Sequence, residues 1–209
     1  MATKTWIATT ASTWATAASW SPAGVPAAGD DVIFNGTNNG QCTVGAATNT
    51  LLSLTTTGYT GNLIVNALLT VGGNVTLAST NSISGTSFIS ISANSILNPG
   101  GSTIGCGLRF PTISTTIQLA GTLTLSSAFI ALGTPAGSIN LVSSSPGTPR
   151  IFNLLNNGLT SQYVDYLNVT DMDSSAACTL WTYKGTVTTS SNWYVMVTQP
   201  PPVSRISFS

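Results

Sequence analysis

From about residue 41 to residue 158 the chain alternates apolar and polar positions in short runs broken by Gly, Asn and Ser. The apolar positions step by six: Val65, Val71, Leu77, Ile83 and Ile89 form one series, and Leu63, Leu69 and Val75 a second. Ile117, Leu123 and Phe129 form a third, and Ile113, Leu119 and Leu125 a fourth. A strand turns alternate side chains to opposite faces. A step of six is therefore one flat side plus one corner, and three such steps close a triangular coil of ~18–20 residues, the signature of a stacked-coil fold. Ile, Val and Leu then pack inward between coils, with Val65, Val71, Leu77, Ile83, Leu119, Leu123 and Leu125 buried, while Thr, Ser and Asn line the outside. Corners fall on Gly72-Gly73-Asn74, Asn98-Pro99-Gly100-Gly101 and Ala120-Gly121, where a tight bend is easiest. The expected class is all-β, with mainly parallel pairing over 41–158. An antiparallel β-sandwich or jelly roll is the alternative, since it too has short strands and frequent turns.

The two ends follow different patterns. Residues 1–40 carry Trp6, Trp14 and Trp20, then the Pro/Gly stretch Ser21–Gly29, then Asp30-Asp31-Val32-Ile33-Phe34. Pro and Gly exclude helix and central strand from that stretch. The pattern predicts a cap whose indoles cover an open apolar end, with Val32-Ile33-Phe34 as the first solid strand. Residues 159–198 predict a closing coil, with Tyr163 to Thr170 as one longer strand and with Trp181 and Trp193 sealing the far end. Residues 199–209 follow as a stiff tail, Gln199-Pro200-Pro201-Pro202 leading to Val203, Ile206 and Phe208.

Composition narrows the function classes. Thr (34), Ser (27), Asn (16) and Gly (20) make up 97 of 209 residues, and only five Lys or Arg face five Asp, with no His. Phosphate neutralisation needs clustered cations, so nucleic acid is not an expected partner, and no basic membrane-surface helix is present. No apolar run approaches the ~18–20 residues that span a bilayer. Met1 to Trp6 leads into polar sequence instead of an apolar signal core, which predicts synthesis in a cytoplasm. The β-branched total, 34 Thr, 14 Ile and 13 Val, favours strands. Cys42, Cys106 and Cys178 lie far apart without CxxC spacing or His, so they are expected to be buried free thiols. An intermolecular disulfide in a particle is the alternative.

Few residues could carry chemistry. Asp30 and Asp31 are adjacent and suit a turn that caps backbone amides. Asp171 and Asp173, with Asp165 shortly before them, are weak candidates for a calcium ion or a sugar, although calcium takes six to eight oxygens. Neither His nor Glu is present as a general base. No catalytic residue, cofactor site or firm metal site is expected, and the protein is not expected to be an enzyme. The Asn-x-Ser/Thr matches at Asn35, Asn74 and Asn168 are expected by chance at this composition.

Trp14-x5-Trp20-Ser21-Pro22, then Gly24-Val25-Pro26, then Asp30-Asp31-Val32-Ile33-Phe34 resembles the opening of parallel β-helix proteins found on bacterial surfaces and in tailed-phage genomes. Tyr163 to Thr170, Trp181 and Asn192-Trp193 resemble their closing coil. The resemblance implies a right-handed parallel β-helix in a surface-exposed or virion role and brings no catalytic motif; the six-residue steps alone allow either hand. The expectation is a virion structural protein, a capsid decoration or cement protein or else a head or tail fibre, made in the host cytoplasm and placed on the virion surface. Its partners would be copies of itself, as a trimer or lattice, and the major capsid protein or another virion protein, with host glycans as a further class. Trp6, Trp14, Trp20, Val203, Ile206 and Phe208 are the candidate assembly contacts. A carbohydrate-binding adhesin or receptor-binding module at a cell surface is the alternative, with a polysaccharide depolymerase behind it.

Overall fold

The computed structural model describes residues 1–77, 82–155, 162–175 and 179–196. Its regular structure is strand, apart from one short 3-10 turn at Ala17–Ser19. The strands form three sheets of ten, eight and seven members, and consecutive strands visit the sheets in rotation. Asn62–Val65 lies in the eight-stranded sheet, Leu69–Val71 in the seven-stranded sheet and Val75–Thr76 in the ten-stranded sheet. Ser82–Ser84 then returns to the first of these, directly above Asn62–Val65. The pairing is parallel throughout the body, which excludes the antiparallel sandwich and jelly roll. Among the described strands only Trp20–Ser21 runs antiparallel, against Thr3–Trp6.

The six-residue step is the passage from one sheet to the next. Val65, Val71, Leu77, Ile83 and Ile89 are all buried, as are Leu119, Leu123 and Leu125. The circuits are not of constant length. Ile83 lies opposite Leu63, at the upper end of the expected coil, whereas Leu97 lies opposite Val75, a longer circuit. Later circuits lengthen further, with Leu141 opposite Ile117. The extra residues sit in corners, so the inward register survives.

Three expectations need correction. Ile113 does not continue inward; it is exposed, beside Ser114 at φ 58°, because Pro111 to Ser114 form a corner loop in place of a flat side. Tyr163 to Thr170 is two strands, Gln162–Asp165 in the seven-stranded sheet and Leu167–Thr170 in the ten-stranded one, divided at Tyr166 with φ 49°. The inward residues Val164, Leu167 and Val169 change parity there, and a change of parity in a strand pattern is a corner. The first strand is Thr3–Trp6, which pairs in parallel with Asp31–Ile33. Strands on either side of the expected boundaries at residues 40 and 158 belong to the same three sheets, and one hydrophobic cluster extends from Trp6 to Trp193.

Asparagine has a structural task at the corners. Asn39, Asn74 and Asn94 at corners, and Asn168 within Leu167–Thr170, each accept a hydrogen bond through Oδ1 from the backbone N–H of the next coil, at Thr60, Ile96, Thr116 and Thr186 (2.7–3.1 Å). These bonds satisfy amides that the sheet ladders leave over at each bend. Cys42 and Cys106 are buried free thiols, and burial pushes the Cys106 thiol up to about 12. Cys178 lies outside the described residues.

Candidate functional site

The Trp-rich end is built for closure. Trp6, Trp14 and Trp20 are buried, with ring centres 5.0 Å apart for Trp6–Trp20 and 4.9 Å for Trp14–Trp20. All three indoles contact Phe34, whose ring in turn meets Tyr59 at 5.1 Å. Two of their polar handles are satisfied inside the chain: Trp6 Nε1 donates to Gly40 O (2.9 Å) and Trp20 Nε1 to Trp14 O (2.8 Å). These indoles therefore bind the chain's own core and offer little surface to a neighbour. Val203, Ile206 and Phe208 lie outside the described residues.

The aspartates separate into individual tasks. Asp30 accepts from Ala2 N (2.7 Å) and Ala27 N (3.0 Å), tying the amino-terminal strand to the next coil. The Ala27 and Ala2 amides hold its carboxyl below the usual 3.8. Asp171, in a left-handed corner at φ 56°, accepts from Thr189 Oγ1 and Gly147 N, and these two bonds lower its pKa. Asp173 accepts from Ser175 N (2.8 Å). Asp165 behaves oppositely: burial raises its pKa while the charge of Lys184 opposes the rise. Among the described residues no group of three or more acidic or Cys side chains could hold a metal ion.

A pH dependence follows. A carboxylate whose folded pKa is depressed contributes stability that is complete above its unfolded pKa and is lost as pH falls through the folded one. Asp30 and Asp171 fall in this class and Asp165 contributes with the opposite sign. The thermal midpoint should therefore drop on acidification from about pH 5 to below about pH 3, and Asp30→Asn should lower the midpoint at neutral pH and flatten its acid dependence. A midpoint profile identical to wild type would reject the clasp.

The outer face of the seven-stranded sheet changes character toward the last coils. Direct register places Thr70, Ser90, Arg109, Ile130 and Tyr163 in one outward column, and Trp181 and Tyr194 continue it. Tyr163 is 39% and Tyr194 56% exposed, with Trp181 largely covered between them. The expected seal is therefore divided. Trp193 closes an internal file of rings, Phe110, Phe129 and Phe152, at centre distances of 4.9–5.5 Å. Trp181, one residue beyond inward Leu180 and in register with exposed Tyr194, stands on the opposite face and outside the core cluster.

Beside this column, the stacked left-handed corners Tyr166 (φ 49°) and Lys184 (φ 54°) project a polar edge. Lys184 Nζ lies 5.0 Å from the Tyr183 ring centre and 6.0 Å from that of Tyr166, within cation–π range. Asp165 pairs in register with Tyr183. Four of the five tyrosines, one of five lysines and arginines and one of five aspartates thus share the edge and face of the last coils.

The ends of the molecule are unequal. At the amino-terminal end, Trp20–Ser21 turns back antiparallel and terminates the ten-stranded sheet. At the other end the outermost strands are Val187–Thr188, Met172–Asp173 with its bridge to Ser191, and Trp193–Met196; among the described residues no strand pairs beyond them. Parallel edges of this kind accept a further strand. No protein-family model matches the chain, and no curated protein or solved structure matches it.

Proposed function

We propose that this chain is a non-enzymatic structural protein of a tailed-phage virion, a right-handed parallel β-helix serving as a capsid decoration or cement protein, with a head or tail fibre as the nearest variant. The reading is supported chiefly by the unequal ends: an indole-filled end whose ten-stranded sheet is blunted by an antiparallel strand, opposite an end where, among the described residues, all three sheets finish in strands with no further strand beyond them. Soluble monomers guard such edges with Lys or Glu, and this chain has five Lys or Arg and no Glu. A neutral surface of hydroxyls and amides also packs densely without self-repulsion. In this reading the far end meets another copy, in a trimer or lattice, or the major capsid protein, at the virion surface.

The test is deletion of residues 199–209, followed by measurement of particle incorporation and oligomer mass. Wild type should join particles and form a multimer, and the deletion should reduce both. Unchanged values would reject a role for the tail, and a wild-type monomer that never joins particles would reject the assembly itself.

A further inference from the structure

We propose that the outer face of the seven-stranded sheet over the last coils binds an extended oligosaccharide of about four sugars, lying along the coil axis over Arg109, Ile130, Tyr163, Trp181 and Tyr194. These residues occupy one column on five successive strands. At about 4.8 Å between strands, four steps span roughly 19 Å, and the exposed rings Tyr163 and Tyr194 lie about 9.5 Å apart. That separation is close to the length of two linked pyranose rings, so consecutive disaccharides would meet equivalent rings. Tyr163 and Tyr194 are 39% and 56% exposed, so part of each side chain is open to a ligand. The negative face of an aromatic ring attracts the positively polarised C–H groups of a sugar's apolar side.

The polar groups fit the same ligand. Asp165 and Lys184 flank the column with opposite charges, so the edge is neutral overall and offers one acceptor and one donor to hydroxyls. A protein partner would favour a broad apolar centre, whereas here two charges stand beside a single file of rings. Tyr194 lies on Trp193–Met196, an edge strand in the assembly reading, but Tyr163 lies two strands further in, so Tyr163→Ala tests the face apart from the edge.

The experiment exposes the full chain to a printed array of neutral and uronate tetrasaccharides, with affinity then measured in solution for the best binder. Wild type should bind at least one saturably, and Tyr163→Ala/Tyr194→Ala should weaken binding by about tenfold or more. The thermal midpoint, oligomer mass and particle incorporation of that variant should match wild type; the single variant Tyr163→Ala, away from the edge strand, should show a smaller loss of the same kind. Absence of binding to every sugar, or equal binding by the double variant, would overturn the proposal. A double variant that changes oligomer mass or incorporation instead would make the face a protein interface and overturn it too.

Discussion

Replacing Phe34 with Ala should cost about 3–5 kcal/mol of unfolding free energy, as buried Phe→Ala changes do. The reason is its position as the hub of the amino-terminal end. The Phe34 ring is fully buried and lies 5.6 Å from Trp6, 5.7 Å from Trp20 and 5.1 Å from Tyr59, with Trp14 at 6.3 Å. Removing it leaves three indoles without their common floor. Two of these are pinned by hydrogen bonds to Gly40 O and Trp14 O, which resist movement into the void. The cavity should therefore stay open, and a site that cannot collapse suffers the larger loss. Urea unfolding monitored by tryptophan fluorescence measures it. A loss under about 1 kcal/mol would mean that the indoles repack, against the closed end described above.

The body of the fold was legible because its signal is local. Six-residue stepping depends only on a flat side and a corner of nearly constant length, and the inward series from Val65 to Ile89 obeys it throughout. It fails where a corner takes extra residues, as at Ile113, or where a non-glycine residue turns in the left-handed region, as at Tyr166. Neither event has a Gly or Asn to announce it. Thr3–Trp6 escaped for another reason. Its parallel partner Asp31–Ile33 comes only after the whole Trp- and Pro-rich stretch, and in a strand containing Lys4 only that non-local pairing reveals the structure.

The outer aromatic column was less legible still. Tyr163, Trp181 and Tyr194 are unequally spaced in the sequence, so they align only because the last circuit is short, Leu180 lying opposite Trp193. A constant coil length places them on different faces. The adjacent pairs held the available clue: with Val164 and Trp193 directed inward, Tyr163 and Tyr194 must point out. The aspartates were misleading in the opposite sense, since their proximity in sequence suggested a joint site while left-handed corners at Tyr166 and Asp171 send them to different faces.

Gly85→Ala tests the contact between coils at a residue that combines positive φ with a collision against backbone. Gly85 has φ 131°, where an L side chain is strained, and a Cβ there would collide with the Val65 carbonyl oxygen and come within 2.5 Å of its carbon and 2.6 Å of the Val65 nitrogen. These are backbone atoms and cannot turn aside. The coil below is held on both sides of the contact, by the pairing of Asn62–Val65 with Ser82–Ser84 and by the Ser87 N–H bond to Val65 O at 2.9 Å. Relief therefore requires the corner to lift and that bond to lengthen. Overpacking of ~1–3 kcal/mol and backbone strain of ~1–3 kcal/mol should combine to about 4 kcal/mol. Gly29 supplies the control, because it also has positive φ (78°) but its Cβ would meet nothing within 4 Å. Gly29→Ala should cost only the conformational part, about 1–2 kcal/mol. Urea unfolding of both variants, with hydrogen exchange at the Ser82 to Ser87 amides, separates strain from collision. Equal losses in the two would show that the coils do not press together at Gly85, and a larger loss at Gly85 with faster exchange confined to that corner would locate the contact there.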